Sequence, residues 1–201
     1  MPRAEQASLT YAFEAYCAWC YRFGPTLRAF VEDNAHRIRL SVVSAGLYTG
    51  ARALPIAAYT HLSAERGTIT RLTGVAFGAG YNHALSRGTT VLDSAAAAAG
   101  PAALRDQPGV SEPDAAEAMQ RAWFIDGRSL SDAEVYRRIA GDLGLDADAV
   151  NAAYSSPASR AKARAAFARC AASASTPTRR CCWSPHTVPT RWGARPPLPP
   201  P

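Results

Sequence analysis

Two cysteines three positions apart, Cys17 and Cys20, stand where a strand pattern gives way to a helix pattern, and that junction constrains the fold more than any other feature. Residues 8–14 alternate with period two and carry aromatic and β-branched positions, which predicts a first strand. From Cys17 to about Ala35, Cys20, Phe23, Leu27, Phe30 and Val31 recur at three- and four-residue spacing, which predicts an amphipathic helix. Pro25 is expected to kink or re-register it. His36 to Ser44 returns to a strand pattern. Strand, helix, strand opens an α/β domain. If the strands are parallel neighbours, a right-handed crossover puts the cysteines at the carboxyl end of the first strand, where ligand sites gather.

After Gly46 the pattern is helical for most of the chain. Helices are expected over 56–66, 68–87 and 90–106, and from Pro113 to Phe124 with Ala115, Met119, Ala122 and Trp123 on one side. Ser131-Asp132-Ala133-Glu134 reads as a capping box opening 132–142, which Gly144 stops. Asp146 caps a short helix to Tyr154, and Pro157 starts another that reaches Cys170. Two strands alone make a poor sheet, so more should follow the helical block. From Ala171 onward, however, the composition is Ser, Thr, Arg, Trp and Pro, ending Arg-Pro-Pro-Leu-Pro-Pro-Pro, which cannot bury enough apolar area to order itself.

The 201 residues suffice for one domain with an insertion. No stretch reaches the roughly 18 apolar residues of a membrane helix. Glu5, Gln6 and Thr10 interrupt any signal-peptide apolar region, so the chain reads as cytoplasmic with reduced cysteines. The net charge of +6 is not a basic face: residues 1–148 hold 14 basic against 16 acidic residues, and half the remaining positive charge lies in the Pro-rich tail. Nucleic acid is therefore not expected as a partner.

The placement of Cys17-Ala18-Trp19-Cys20 carries chemistry. The first sulfur lies beside unpaired helix N-terminal amides and the positive end of the dipole, which favour thiolate. The second is one helical turn on, close enough to attack a mixed disulfide. Half of a zinc site, or two ordinary buried cysteines, are the competing readings; zinc would need Cys181, Cys182 or His186 as partners.

Tyr11-Ala12-Phe13-Glu14-Ala15-Tyr16-Cys17-Ala18-Trp19-Cys20-Tyr21-Arg22-Phe23-Gly24-Pro25 resembles the opening of a cytoplasmic DsbA-family thiol–disulfide oxidoreductase. Residues 118–132, from Ala118 through Trp123-Phe124-Ile125-Asp126-Gly127 to Asp132, resemble the end of that family's inserted helical domain. The likeness covers about 8–170. It implies an α/β, thioredoxin-like fold with a large helical insertion, Cys17 as nucleophile and Cys20 as resolving cysteine, with no cofactor or metal. It implies protein or small-molecule thiols and disulfides as partners, and neither nucleic acid nor membrane. The organisation expected is 8–48 for the first part of the thioredoxin-like domain and 49–155 for the insertion. Residues 156–178 then make the return helix and a cis-proline loop, and 179–201 a disordered tail.

Ser175-Thr176-Pro177-Thr178 resembles the family's cis-proline loop, which makes Thr176 and Pro177 substrate-binding candidates beside Trp19. A strand should follow, but Arg179-Arg180-Cys181-Cys182-Trp183 stands there. Cys-Cys-Trp is TGY-TGY-TGG, and the frame one nucleotide earlier reads NTG-YTG-YTG, an apolar run. The tail is thus expected to be a shifted reading frame, with the C-terminal strands and helix missing. Resequencing the gene there tests this. A related glutathione-dependent transferase or isomerase, and an inactive family member whose basic Pro-rich tail binds a partner, are the alternatives.

Among single residues, Trp19 either shapes a substrate groove or packs on the domain. Glu14 is a candidate proton acceptor for Cys20, although a strand glutamate more often points to water. Cys170 is expected to pack passively, and His36, His61 and His83 to be surface or capping residues. The Gly-rich stretch Gly74–Gly80 lacks the flanks of a phosphate loop and reads as a helix–helix connection.

Overall fold

The structure, a computed structural model, describes residues 6–174. Thr176, Pro177, Cys181, Cys182, His186 and the expectations about the tail lie outside the described residues. Strand β1 (Ala7–Phe13), helix α1 (Ala18–Asp33) and strand β2 (Ile38–Ser44) form as the apolar spacing predicts. β1 and β2 pair in parallel, in register from Ala7 opposite Ile38 to Phe13 opposite Ser44. Pro25 lies inside α1.

Val42 pairs with Tyr11 across the sheet, so its own N–H and C=O point away from β1. Helical side chains take them: the Val42 N–H donates to Glu112, and Arg105 donates to the Val42 carbonyl at 3.1 Å. Arg105 and Glu112 also pair with each other at 3.0 Å. The outer edge of β2 is therefore closed at Val42 by side chains that imitate a neighbouring strand.

The remaining described helices are α2 (Leu62–Thr73), α3 (Ala79–Arg87), α4 (Ser94–Ala97), α5 (Ala99–Arg105), α6 (Glu112–Phe124), α7 (Ala133–Asp142), α8 (Ala147–Ser155) and α9 (Pro157–Ala174). Single 3-10 turns stand at Gly50–Arg52 and Ile56–Ala58. The helices expected over 56–66, 68–87 and 90–106 are shorter and shifted. Gly74 and Gly88 end α2 and α3 in the left-handed region, at φ of 72° and 70°, and Asp93 opens α4 by accepting from the amides of Ala95 and Ala96. Nor does Ser131 cap α7. Asp132 does so, accepting from the Glu134 amide at 3.0 Å. A reciprocal capping box occurs instead at α6, where Ser111 and Asp114 exchange hydrogen bonds of 3.2 and 3.3 Å.

The core is centred on α6, with Trp123, Phe124, Met119, Leu104 and Tyr136 almost wholly buried. α6 and α9 pack on β2, and α1 packs on both α2 and α6, so the helical block braces the sheet and the helix that carries the cysteines. The Gly-rich stretch connects α2 to α3 as expected, and two of its glycines, Gly78 and Gly80, have a packing reason. A Cβ at Gly78 would lie 2.1 Å from the Ile125 carbonyl oxygen, and one at Gly80 would lie 2.1 Å from that of Asp126. Backbone meets backbone there, leaving no room for a side chain.

Candidate functional site

β1 ends in the buried Phe13, and the chain turns through Glu14, Ala15 and Tyr16, all buried, before α1 begins. The Cys17 amide donates to the Glu14 carbonyl at 3.1 Å, which closes that turn, and the Tyr21 amide donates to the Cys17 carbonyl at 3.0 Å, which starts the helix. Cys17 is the N-cap residue, with extended backbone at φ −85°, and its sulfur accepts from the Cys20 amide at 3.4 Å. The sulfur thus occupies the place usually taken by a serine or aspartate oxygen, satisfying one of the orphan amides of a 16-residue helix. Both cysteines are reduced and partly exposed.

The two thiols act as one titrating pair. The hydrogen bond between them eases the loss of the first proton and makes the second much harder to remove, while burial opposes charge on either sulfur. The Tyr11 side chain and the Glu14 backbone favour ionisation of Cys20.

Glu14 does not point to water; it is 5% exposed. Its carboxylate accepts from the Leu47 amide at 2.7 Å, the Tyr16 amide at 3.3 Å and the Ser94 hydroxyl at 2.9 Å. Ser94 itself accepts from the Tyr48 amide at 2.8 Å, so its single proton goes to Glu14. Burial pushes the Glu14 carboxyl above its ordinary value, against the pull of these donors. Its negative charge also disfavours ionisation of Cys20.

Glu65 on α2 also disfavours ionisation of Cys17, by a smaller contribution than burial and the neighbouring sulfur. Burial raises the Glu65 carboxyl, while His61 and a hydrogen bond from the Trp19 side chain lower it. Trp19, expected either to shape a substrate groove or to pack on the domain, is partly buried against the core. Aromatic rings continue inward, with Tyr16 edge-on to Trp123 at 5.3 Å and to Tyr48 at 6.1 Å.

The DSBA-like thioredoxin domain family matches residues 9–174. The chain belongs to that family. This DsbA-like chain is similar to the solved structure of cytosolic disulfide reductase DsbM from Pseudomonas aeruginosa with GSH. Identity is 28%, over 82% of this chain and 78% of that one, with a TM-score of 0.67. A second DsbM structure gives 27% identity, 82% and 77% coverage and a TM-score of 0.68. A structure from Nitrosomonas europaea shares the fold at 18% identity, 84% and 79% coverage and a TM-score of 0.68. No curated protein matches the chain.

Sequence spacing placed Cys17, Trp19 and Cys20 of this DsbA-like domain, and the structure brings the three together. Glu65, Ser94 and Tyr11 escaped it: Ser94 reaches Glu14 from far along the chain, Glu65 stands on α2 and Tyr11 on β1. Cys170 is buried as expected, and His36, His61 and His83 are all exposed. His61 stands at the N-cap position of α2 but makes no side-chain cap bond. Among the described residues no helix is long and apolar enough to cross a membrane.

Proposed function

We propose that the chain is a cytoplasmic thiol–disulfide oxidoreductase in which Cys17 attacks and Cys20 resolves. The observation that carries this reading is Cys17 as the sulfur N-cap of α1, with Cys20 one turn along and its amide on the Cys17 sulfur. Family membership and the likeness to a cytosolic disulfide reductase support it. The Cys17 thiolate attacks a substrate disulfide, one substrate sulfur leaves as thiolate and takes a proton, and Cys17 holds the other as a mixed disulfide. Cys20 loses its proton and displaces that second sulfur, which is protonated in turn. The pair ends as the Cys17–Cys20 disulfide, and the substrate has gained two electrons and two protons. Trp19, flanked by both sulfurs, forms part of the substrate-facing surface. The glutathione in the DsbM structure supports glutathione as a small thiol partner here.

Reduced protein mixed with glutathione disulfide tests the assignment. Cys20→Ser is expected to accumulate a stable glutathione adduct on Cys17, read by mass spectrometry, and to lose turnover. Cys17→Ser is expected to form no adduct at Cys20 on the same timescale. Turnover that survives in Cys17→Ser overturns the roles.

A further inference from the structure

A cavity of about 330 Å³ opens between the start of α2, helix α3 and the 3-10 turn at Ile56–Ala58. Backbone bonds fix its walls. The Ile56 amide donates to the Thr90 carbonyl at 2.8 Å and the Ala57 amide to the Gly88 carbonyl at 3.1 Å, which pins the turn to the chain leaving α3. Tyr59 is fixed as well: its ring lies edge-on to Tyr48 at 4.9 Å and its hydroxyl donates to the Arg52 carbonyl. Ile56, Ala57 and Leu85 supply apolar lining, and Thr60, Ser63 and Ser86 supply hydroxyls.

One charged side chain, Arg66, stands among the described residues of this lining. Its Nη1 donates to the Asn82 Oδ1, from α2 across to α3, and this neutral partner orients the guanidinium without cancelling its charge. Arg28 and Arg105, half-buried like Arg66, both pair with carboxylates. Arg66 has no carboxylate partner among the described residues, which leaves its Nε and Nη2 as donors. A guanidinium fork matches a carboxylate through two parallel N–H···O bonds, and its weak hydration lets it shed water for such a ligand. The volume falls at the lower end for small-molecule sites, about 300–1,000 Å³. We infer that this cavity binds a small organic carboxylate, with the carboxylate on Arg66 and the carbon body against Ile56, Ala57 and Leu85. The apolar lining selects against an inorganic anion, which would leave that surface wet. Neither Cys17 nor Cys20 lines the cavity, so the inference stands or falls apart from the disulfide chemistry.

The test titrates nitrogen-15-labelled reduced protein with hexanoate, with hexanamide and with inorganic phosphate, each to about 50 mM, and follows backbone amide shifts. That range brackets the millimolar affinity expected of so small a ligand. Hexanoate is expected to give saturable shifts centred on Ile56, Arg66 and Leu85, and to bind about tenfold or more tighter than hexanamide or phosphate. Arg66→Gln should remove that preference for hexanoate over hexanamide, and Arg66→Lys should keep part of it. Ser63→Phe, at an exposed position, should fill the cavity and abolish the shifts while the rest of the spectrum stays unchanged. The comparison of hexanoate, hexanamide and phosphate on the wild type decides the matter even if a variant fails to fold. Hexanamide or phosphate binding as tightly as hexanoate, hexanoate affinity unchanged in Arg66→Gln, or no saturable shift at the cavity overturns the inference.

Discussion

At the scale of the residue, Ser94 and Glu14 show how a polar cluster can be built inside an apolar core. The Ser94 hydroxyl accepts from Tyr48 and donates to Glu14, so one atom joins the chain after β2 to the turn that carries Cys17. Ser94→Ala removes both bonds and strands two buried groups, with an expected loss of about 1–3 kcal/mol in urea unfolding. Glu14 adds a pH signature. Its carboxyl is raised by burial above 4.5, so the folded chain holds that proton more tightly than the unfolded chain does. Its stabilising contribution is present below about 4.5 and is lost as pH rises through the raised folded value. Relative to Glu14→Gln, the wild type should lose stability as the pH climbs from that point, by at most about 1.4 kcal/mol per pH unit. Urea midpoints taken across this range check it, and parallel curves for the two proteins would refute it.

At the scale of the element, the sequence disclosed some segments far better than others. β1, α1 and β2 were legible to within about three residues because each carries an unbroken apolar period of its own. Leu62–Arg87 was not, because Gly74 and Gly88 punctuate a weakly amphipathic stretch through left-handed backbone rather than through any change in hydrophobic pattern. The Ser131 capping box misled because Asp132, one position on, offers the better acceptor for the Glu134 amide. Glu14 was legible as a candidate partner of Cys20 but not as a buried one, since its donors come from Leu47 and Ser94, far along the chain. The glycines of α2 and α3 differ in a measurable way. Gly80→Ala drives a methyl group into the Asp126 backbone and should cost about 1–3 kcal/mol or more. Gly67→Ala, with nothing within 4 Å, should stabilise α2 by about 0.5–1 kcal/mol. Thermal unfolding of the two variants separates them, and equal shifts would contradict the close packing of α3 against the residues after α6.

At the scale of the molecule, sheet and helical block depend on each other. β2 has its outer edge completed by Arg105 and Glu112, and the helix that carries the cysteines leans on α2 and α6. Glu112→Ala should therefore destabilise the whole described fold by about 1–3 kcal/mol and lower a single unfolding transition, rather than loosen one helix. Two separate transitions would show that the parts fold independently. The same closure has a signature in amide exchange. The proton on the Val42 nitrogen faces a side chain of α6 and not another strand, so fraying of the sheet cannot release it to solvent. It can trade with deuterium only when α6 swings away from β2. The Val42 amide should therefore share the slow exchange of Met119 in the middle of that helix, and the two should speed up together as denaturant is added.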